Sequence, residues 1–206
     1  MYRKFFKRVI DLILSGLALL ILAVPLLILA LIVKLDSKGP VLFWQKRVGL
    51  NKRTFMMPKF RSMYTETPAE MPTHLLDDPQ RWITPVGKIY RKLSIDELPQ
   101  ILSIFTGKMS IIGPRPALWN QFDLIEERDK YGSNDVRPGL TGWAQINGRD
   151  ELEIPVKAKL DGEYVEQMSF LFDCKCFFGT ILAVLRRDGV VEGGTGAMEK
   201  EKNKVQ

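Results

Sequence analysis

Residues 12–33 form an unbroken run without a single Asp, Glu, Lys or Arg, and no other feature restricts the chain as much. The run matches the roughly 20 apolar residues that a helix needs to cross a bilayer, so a membrane element is expected at the N-terminus. A cleavable secretion signal fits poorly, because its apolar stretch is usually about 7–15 residues long and ends in a small-residue cleavage pattern. Basic residues flank both ends: Arg3, Lys4, Lys7 and Arg8 precede the run, and Lys34, Lys38, Lys46 and Arg47 follow it. A simple span carries one of these clusters to the far side, against the preference of positive charge for the cytoplasmic face. Pro25 lies inside the run, where it deletes one helical hydrogen bond and its ring collides with the carbonyl of Ile21. Two geometries remain open. A helix that turns back at Pro25 has halves of about a dozen residues, ~18 Å each, and returns both basic flanks to one leaflet. A kinked span is the alternative, since neighbouring helices can satisfy the carbonyl that a membrane proline frees.

Beyond the anchor, roughly 150 residues suffice for one compact domain and one active site. Lys and Arg outnumber Asp and Glu by 30 to 24, a formal +6, which suits anionic lipid or nucleotide phosphate. Nucleic acid is not an expected partner, because the basic residues are not interleaved with aromatics in any recognisable module. Cys174, Cys176 and the lone His74 cannot complete a zinc site. Apolar clusters around Gly49-Leu50-Asn51 predict a β-hairpin, with Pro58 confining one strand to an edge. Residues 65–85 hold four prolines and predict a surface loop that ends in Thr84-Pro85, the N-cap and first turn of a helix. Helices are predicted over 94–105, 117–130, 156–167 and 169–187, with a loop and short strand over 137–149. The expected fold is therefore helix-rich α+β: an anchor over 1–38, one catalytic domain with a small β-hairpin over 39–187, and a mobile tail over 188–206.

Ser94-Ile95-Asp96-Glu97-Leu98-Pro99 is the most informative hexapeptide. Proline is comfortable only in the first turn of a helix, so both acids belong at a helix N-terminus. There the positive helix end favours the carboxylate by roughly 0.3–1 kcal/mol, enough to help keep a nucleophile ionised. The same residues satisfy the S-x-x-E capping box, a purely structural device. Lys59, Arg61, Arg91, Arg115, Arg137 and Arg149 recur in turn-like or strand-end settings suited to phosphate, surface ion pairs being the alternative. Arg115 stands out, because flanking prolines fix its backbone and its guanidinium fork matches phosphate oxygens.

Taken together, Lys59-Phe60-Arg61-Ser62-Met63, Asp96-Glu97-Leu98-Pro99-Gln100, Gly113-Pro114-Arg115-Pro116, and Arg137-Pro138-Gly139 through Asn147-Gly148-Arg149 closely resemble the bacterial sugar transferase family, the monotopic phosphoglycosyl transferases. Four motifs in the family's order, spread over nearly the whole chain, make the resemblance specific. It implies a two-step covalent reaction. Asp96 attacks the β-phosphorus of a UDP-sugar and releases UMP, and undecaprenyl phosphate then takes the phosphosugar. Glu97 helps to hold Mg2+. By matched position Arg91 orients the acidic pair, Lys59, Arg115 and Arg149 contact phosphate or nucleotide, Arg137 joins the phosphate-binding set, and Asp161 matches a recurrent family acid. The family's anchor is re-entrant at the residue matching Pro25, which implies a catalytic domain on the cytoplasmic face of the bacterial inner membrane among anionic lipids. Two positions depart from the pattern: Val24 stands where many relatives have serine, and Pro58 where an aromatic or aliphatic residue is common. The competing classes are a lipid-binding scaffold without turnover and a sequential glycosyltransferase that releases a nucleoside diphosphate. The sugar, the glycan pathway and the oligomeric state are not readable from the sequence.

Overall fold

A computed structural model describes residues 1–67, 78–148 and 152–186. After a π-helical turn at Tyr2–Phe6, α1 runs from Lys7 to Asp36. It passes through Pro25 with no non-helical residue, so the expected break is not a loop within the anchor. Only 6% of its most apolar 18-residue window is buried inside the protein, so α1 is not a core helix. Leu20, Ile21, Val24, Leu27 and Leu31 are exposed, a surface suited to lipid.

Both ends of α1 are nevertheless fastened to the protein body. Near its start, Lys7, Asp11 and Ser15 form a buried stripe at four-residue spacing. Lys7 Nζ lies 2.5 Å from Asp173, and Asp11 accepts a hydrogen bond from the Ile111 amide at 3.0 Å. Near its other end, Val33 packs with Phe60 and Tyr90, and the Tyr90 hydroxyl donates to the Leu29 carbonyl at 3.0 Å. Arg61, 6% exposed, donates to the carbonyls of Ser37 at 2.7 Å and of Lys38. It thus caps the last turn, whose carbonyls have no helical partner, and is not available for phosphate.

The predicted hairpin is present as β1 (Leu42–Val48) and β2 (Thr54–Phe60), antiparallel with Leu42 opposite Phe60. The sheet has two strands, so Pro58 needs no ladder partner on its outer side. It is fully buried opposite Trp44 and does not interrupt the strand. The short α2 (Pro79–Trp82) follows, then α3 (Pro85–Lys92), which starts as expected: Thr84 Oγ1 accepts from the Gly87 amide at 2.9 Å and Pro85 occupies the first turn. Residues 94–105 are not one α-helix. A 3₁₀ segment, Ile95–Gln100, leads into the five-residue α4 (Ile101–Phe105).

β3 (Ser110–Ile112) comes next, then α5 (Phe122–Asp129), which starts later than predicted. The backbone of 116–118 is already engaged by β1: Val48 N–H donates to the Ala117 carbonyl at 2.9 Å, and Arg47 to the Pro116 carbonyl at 2.9 Å. β4 (Gly139–Thr141) pairs parallel to β3, and the segment after it is helical, as α6 (Trp143–Ile146). The long helices α7 (Ile154–Gln167) and α8 (Phe170–Arg186) lie close to their predicted ranges. Tyr164, Ile112 and Cys176 form the core between them and β3. Cys174 and Cys176 are unbridged, and burial pushes the Cys176 thiol up to about 12, which leaves it inert. The expected tail over 188–206 lies outside the described residues.

Candidate active site

The acidic pair is positioned by a backbone reversal. Ser94 closes α3 with φ +55°, in the left-handed region, and its amide donates to the Arg91 carbonyl at 3.1 Å. Its side chain caps nothing. The capping-box alternative therefore fails: the Glu97 carboxylate does not return to Ser94 but turns into the domain. Pro99, which lacks an N–H, sits within the 3₁₀ turn that follows. The helix dipole favours the Asp96 carboxylate only weakly, because six 3₁₀ residues align few peptide dipoles.

Two cations converge on Glu97. Arg115 Nη2 lies 2.5 Å from Oε1 and Nη1 3.3 Å from Oε2, and Lys59 Nζ lies 2.9 Å from Oε1. Lys59 reaches it because strand alternation puts it on the same face as Met57, which packs with Ile104 and Met109 of the segment that follows the acidic pair. Arg115 reaches it from a loop stitched to β4. Gly113 N–H donates to the Thr141 carbonyl and Gly139 N–H to the Pro114 carbonyl, each at 2.8 Å. The two chains approach so closely that a Cβ at Gly139 would lie 2.1 Å from the Gly113 nitrogen, so only glycine fits there.

The two carboxylates are driven in opposite directions. Burial alone would raise Glu97, but the charges and hydrogen bonds of Arg115 and Lys59 outweigh it and hold its carboxyl well below the usual range. Asp96 is 8% exposed and accepts no side-chain hydrogen bond among the described residues. Burial pushes it above the ordinary carboxylate value, with neighbouring Glu97 adding to the rise and Lys59, Arg91 and Arg115 opposing it. One acid is locked as a partnered anion, and the other is desolvated with its oxygens uncommitted.

Of the other expected residues, Arg91 in the last turn of α3 bears on Asp96 through its charge. Arg137 is elsewhere: its Nε donates to the Gly107 carbonyl at 2.9 Å, beyond the far end of α4. Arg149 lies outside the described residues. Asp161, the match to a recurrent family acid, is 1% exposed with its Oδ2 bound by Arg128 Nε at 2.8 Å and Nη2 at 2.6 Å. Arg128 Nη1 also donates to the Arg115 carbonyl at 2.9 Å. The pair therefore braces the loop that presents Arg115. Sequence reasoning missed Arg128, whose only signal is its place four residues after buried Leu124, on the inner face of α5.

Among the described residues no three His, Cys, Asp or Glu side chains converge. Glu97 and Asp96 are the carboxylates that could hold a magnesium ion, which takes one or two carboxylates together with the substrate's own phosphates.

The sequence pattern of bacterial sugar transferases matches residues 2–187. An uncharacterized sugar transferase of Bacillus subtilis, EpsL, is 40% identical over 89% of this chain and 89% of its own length. The undecaprenyl-phosphate glucose phosphotransferase of Komagataeibacter xylinus is 44% identical over 85% of this chain and 35% of its own length. In Escherichia coli the UDP-glucose:undecaprenyl-phosphate glucose-1-phosphate transferase is 37% identical over 86% of this chain and 40% of its own length. The chain thus spans most of the first relative and less than half of the other two.

Proposed function

The chain belongs to the bacterial sugar transferase family and is a transferase; we propose that it moves a sugar 1-phosphate from a UDP-sugar to undecaprenyl phosphate, releasing UMP, as the first step of a membrane polysaccharide. The observation that carries this reading is the asymmetry of the acidic pair. A carboxylate that attacks phosphorus needs a free lone pair and incomplete solvation, and Asp96 has both. Glu97, ionised and held by two cations, is a fixed anion.

In the first step an Asp96 oxygen forms a bond to the β-phosphorus of the donor. The bond from that phosphorus to the bridging oxygen breaks, and UMP leaves with the electron pair. Lys59 and Arg115 exchange part of their bonding from Glu97 to phosphate oxygens, which neutralises the charge that builds on the reacting group. Arg91 favours the ionised form of Asp96 from α3. In the second step an oxygen of undecaprenyl phosphate attacks the same phosphorus, displaces Asp96 and regenerates the carboxylate. Magnesium, held by Glu97 and the donor phosphates, would neutralise diphosphate charge and ease departure of UMP.

The fastening of both ends of α1 to one body supports a monotopic, re-entrant anchor with the domain on the cytoplasmic face, where a soluble donor meets a lipid-bound acceptor. A helix that crossed the bilayer would carry one end to the opposite side. The test is nucleotide release from a panel of UDP-sugars with magnesium and undecaprenyl phosphate. UMP from the wild type and none from Asp96→Asn is expected; release of UDP, or undiminished release by the variant, overturns the reading.

A further inference from the structure

A cleft of about 400 Å3 opens where α1 leaves the protein body, and its lining includes none of the residues around the acidic pair. Five cationic side chains line it: Arg3, Lys4, Lys7, Arg8 and Arg137. Two of them are committed. Lys7 is bound to Asp173 at 2.5 Å, and Arg8 donates to the carbonyls of Ile104 and Phe105 at the end of α4, at 2.7 and 2.8 Å. Arg3 and Lys4 are exposed and have no ion-pair partner among the described residues. Arg137 uses only Nε, on the Gly107 carbonyl, which leaves both terminal nitrogens for an occupant. Ser110 also lines the cleft; it is 1% exposed, and its Oγ has no hydrogen-bond partner. A buried hydroxyl left unpartnered costs free energy that a ligand oxygen would recover. Asp11 and Asp135 border the same space. Asp11 gives one oxygen to the Ile111 amide and Asp135 is exposed, so positive charge predominates.

The surroundings identify the occupant's other half. Phe5 and Phe6 beside the cationic turn, and Leu12 and Ile13 one turn beyond the cleft, are all exposed large apolar side chains. An occupant that fits carries an anionic oxygen cluster on an apolar body. The acidic pair precedes α4, whereas the cleft lies at its far end, so this is not where the acceptor phosphate reacts. We propose that the cleft binds the phosphate headgroup of an anionic phospholipid from the leaflet that receives α1, and so fixes the depth and orientation of the anchor. The proposal rests on the reading of α1 as a membrane anchor. Arginine's fork suits phosphate oxygens, and each cation near an anionic headgroup contributes about fivefold in affinity.

The test uses the purified full chain in detergent and counts lipid retained in native mass spectra. Equal doses of dioleoyl phosphatidylglycerol, dioleoyl phosphatidylcholine and undecaprenyl phosphate are compared, with inorganic phosphate as competitor. One phosphatidylglycerol held in preference to phosphatidylcholine and not displaced by inorganic phosphate is expected, with retention about fivefold weaker in Arg137→Gln and in Lys4→Gln. Lys4 is exposed without a partner, so its variant remains informative if Arg137→Gln misfolds. Equal retention of the two phospholipids, displacement of the bound phosphatidylglycerol by inorganic phosphate or by undecaprenyl phosphate, or unchanged retention in Lys4→Gln overturns the proposal. Failure of the anchor reading is separately visible as recovery of the chain in the soluble fraction without detergent.

Discussion

Replacing Asp161 by asparagine removes one charge from a pair whose side chains are 4% and 1% exposed and strands the Arg128 guanidinium in the interior. Breaking a buried ion pair from one side costs about 3–5 kcal/mol, a large share of the ~5–15 kcal/mol that stabilises a typical domain. For a chain of this size each kcal/mol moves the melting temperature by about 2–4 °C, so Asp161→Asn should melt roughly 6–20 °C lower. Thermal melting of the full chain in detergent, followed by circular dichroism, measures this directly. A second variant separates stability from positioning. Arg128→Met combined with Asp161→Leu replaces the pair by apolar groups of similar volume, an exchange that is often neutral or stabilising. It should recover most of the lost melting temperature. It also removes the Nη1 donor from the Arg115 carbonyl, so UMP release should stay about 10–100-fold below wild type, the effect of a small misplacement of a charged group in the site. An Asp161→Asn variant that melts within about 2 °C of wild type, or a fully active double variant, would refute the bracing role.

In the proposed mechanism Asp96 reacts as the anion, and burial raises its pKa, so activity should fall as pH drops through a value above the ordinary carboxylate pKa of about 3.9. Lys59→Gln removes the strongest opposing charge and should shift that acid limb of the kcat/KM profile upward. The same shift fixes the sign for stability. A raised carboxyl favours the fold below its unfolded pKa, and this contribution is lost as pH rises through the folded value. Asp96→Asn should therefore melt no lower than wild type at pH 7 while losing turnover, with the difference in melting temperature shrinking in acid. Arg115→Lys keeps the charge but loses the two-pronged contact with Glu97, and kcat/KM for UMP release should drop by about one to two orders of magnitude.

What the sequence made legible were features set by local chemistry. Residues around Gly49 produce the β1–β2 hairpin, Thr84-Pro85 starts α3, and the helices expected over 156–167 and 169–187 are present as α7 and α8 within a few residues. Contacts that depend on distant partners were not legible. The capping-box spacing of Ser94 and Glu97 is real in sequence, but Lys59 and Arg115 offer Glu97 more than a backbone amide does. Residues 117 and 118 are not helical because β1 uses the backbone there. The parallel pairing of Ser110 with Gly139 joins strands too short to announce themselves. In the site, Asp96, Glu97, Lys59 and Arg115 were predicted and are brought together; Arg137 was grouped with them by motif and lies instead beside the cationic N-terminal turn. Arg128 has no motif of its own, and its role appears only when α5 packs against α7.

The proposed mechanism turns on a covalent link between Asp96 and the transferred phosphosugar, and that link can be trapped. The full chain is incubated with magnesium and a UDP-sugar carrying label in the sugar and in the β-phosphate, without acceptor, and then digested and mapped by mass spectrometry. Label on the peptide containing Asp96, with stoichiometric UMP and release of the label on adding undecaprenyl phosphate, is the result predicted. Turnover to the lipid product with no labelled peptide, or labelling that persists in Asp96→Asn, would contradict it.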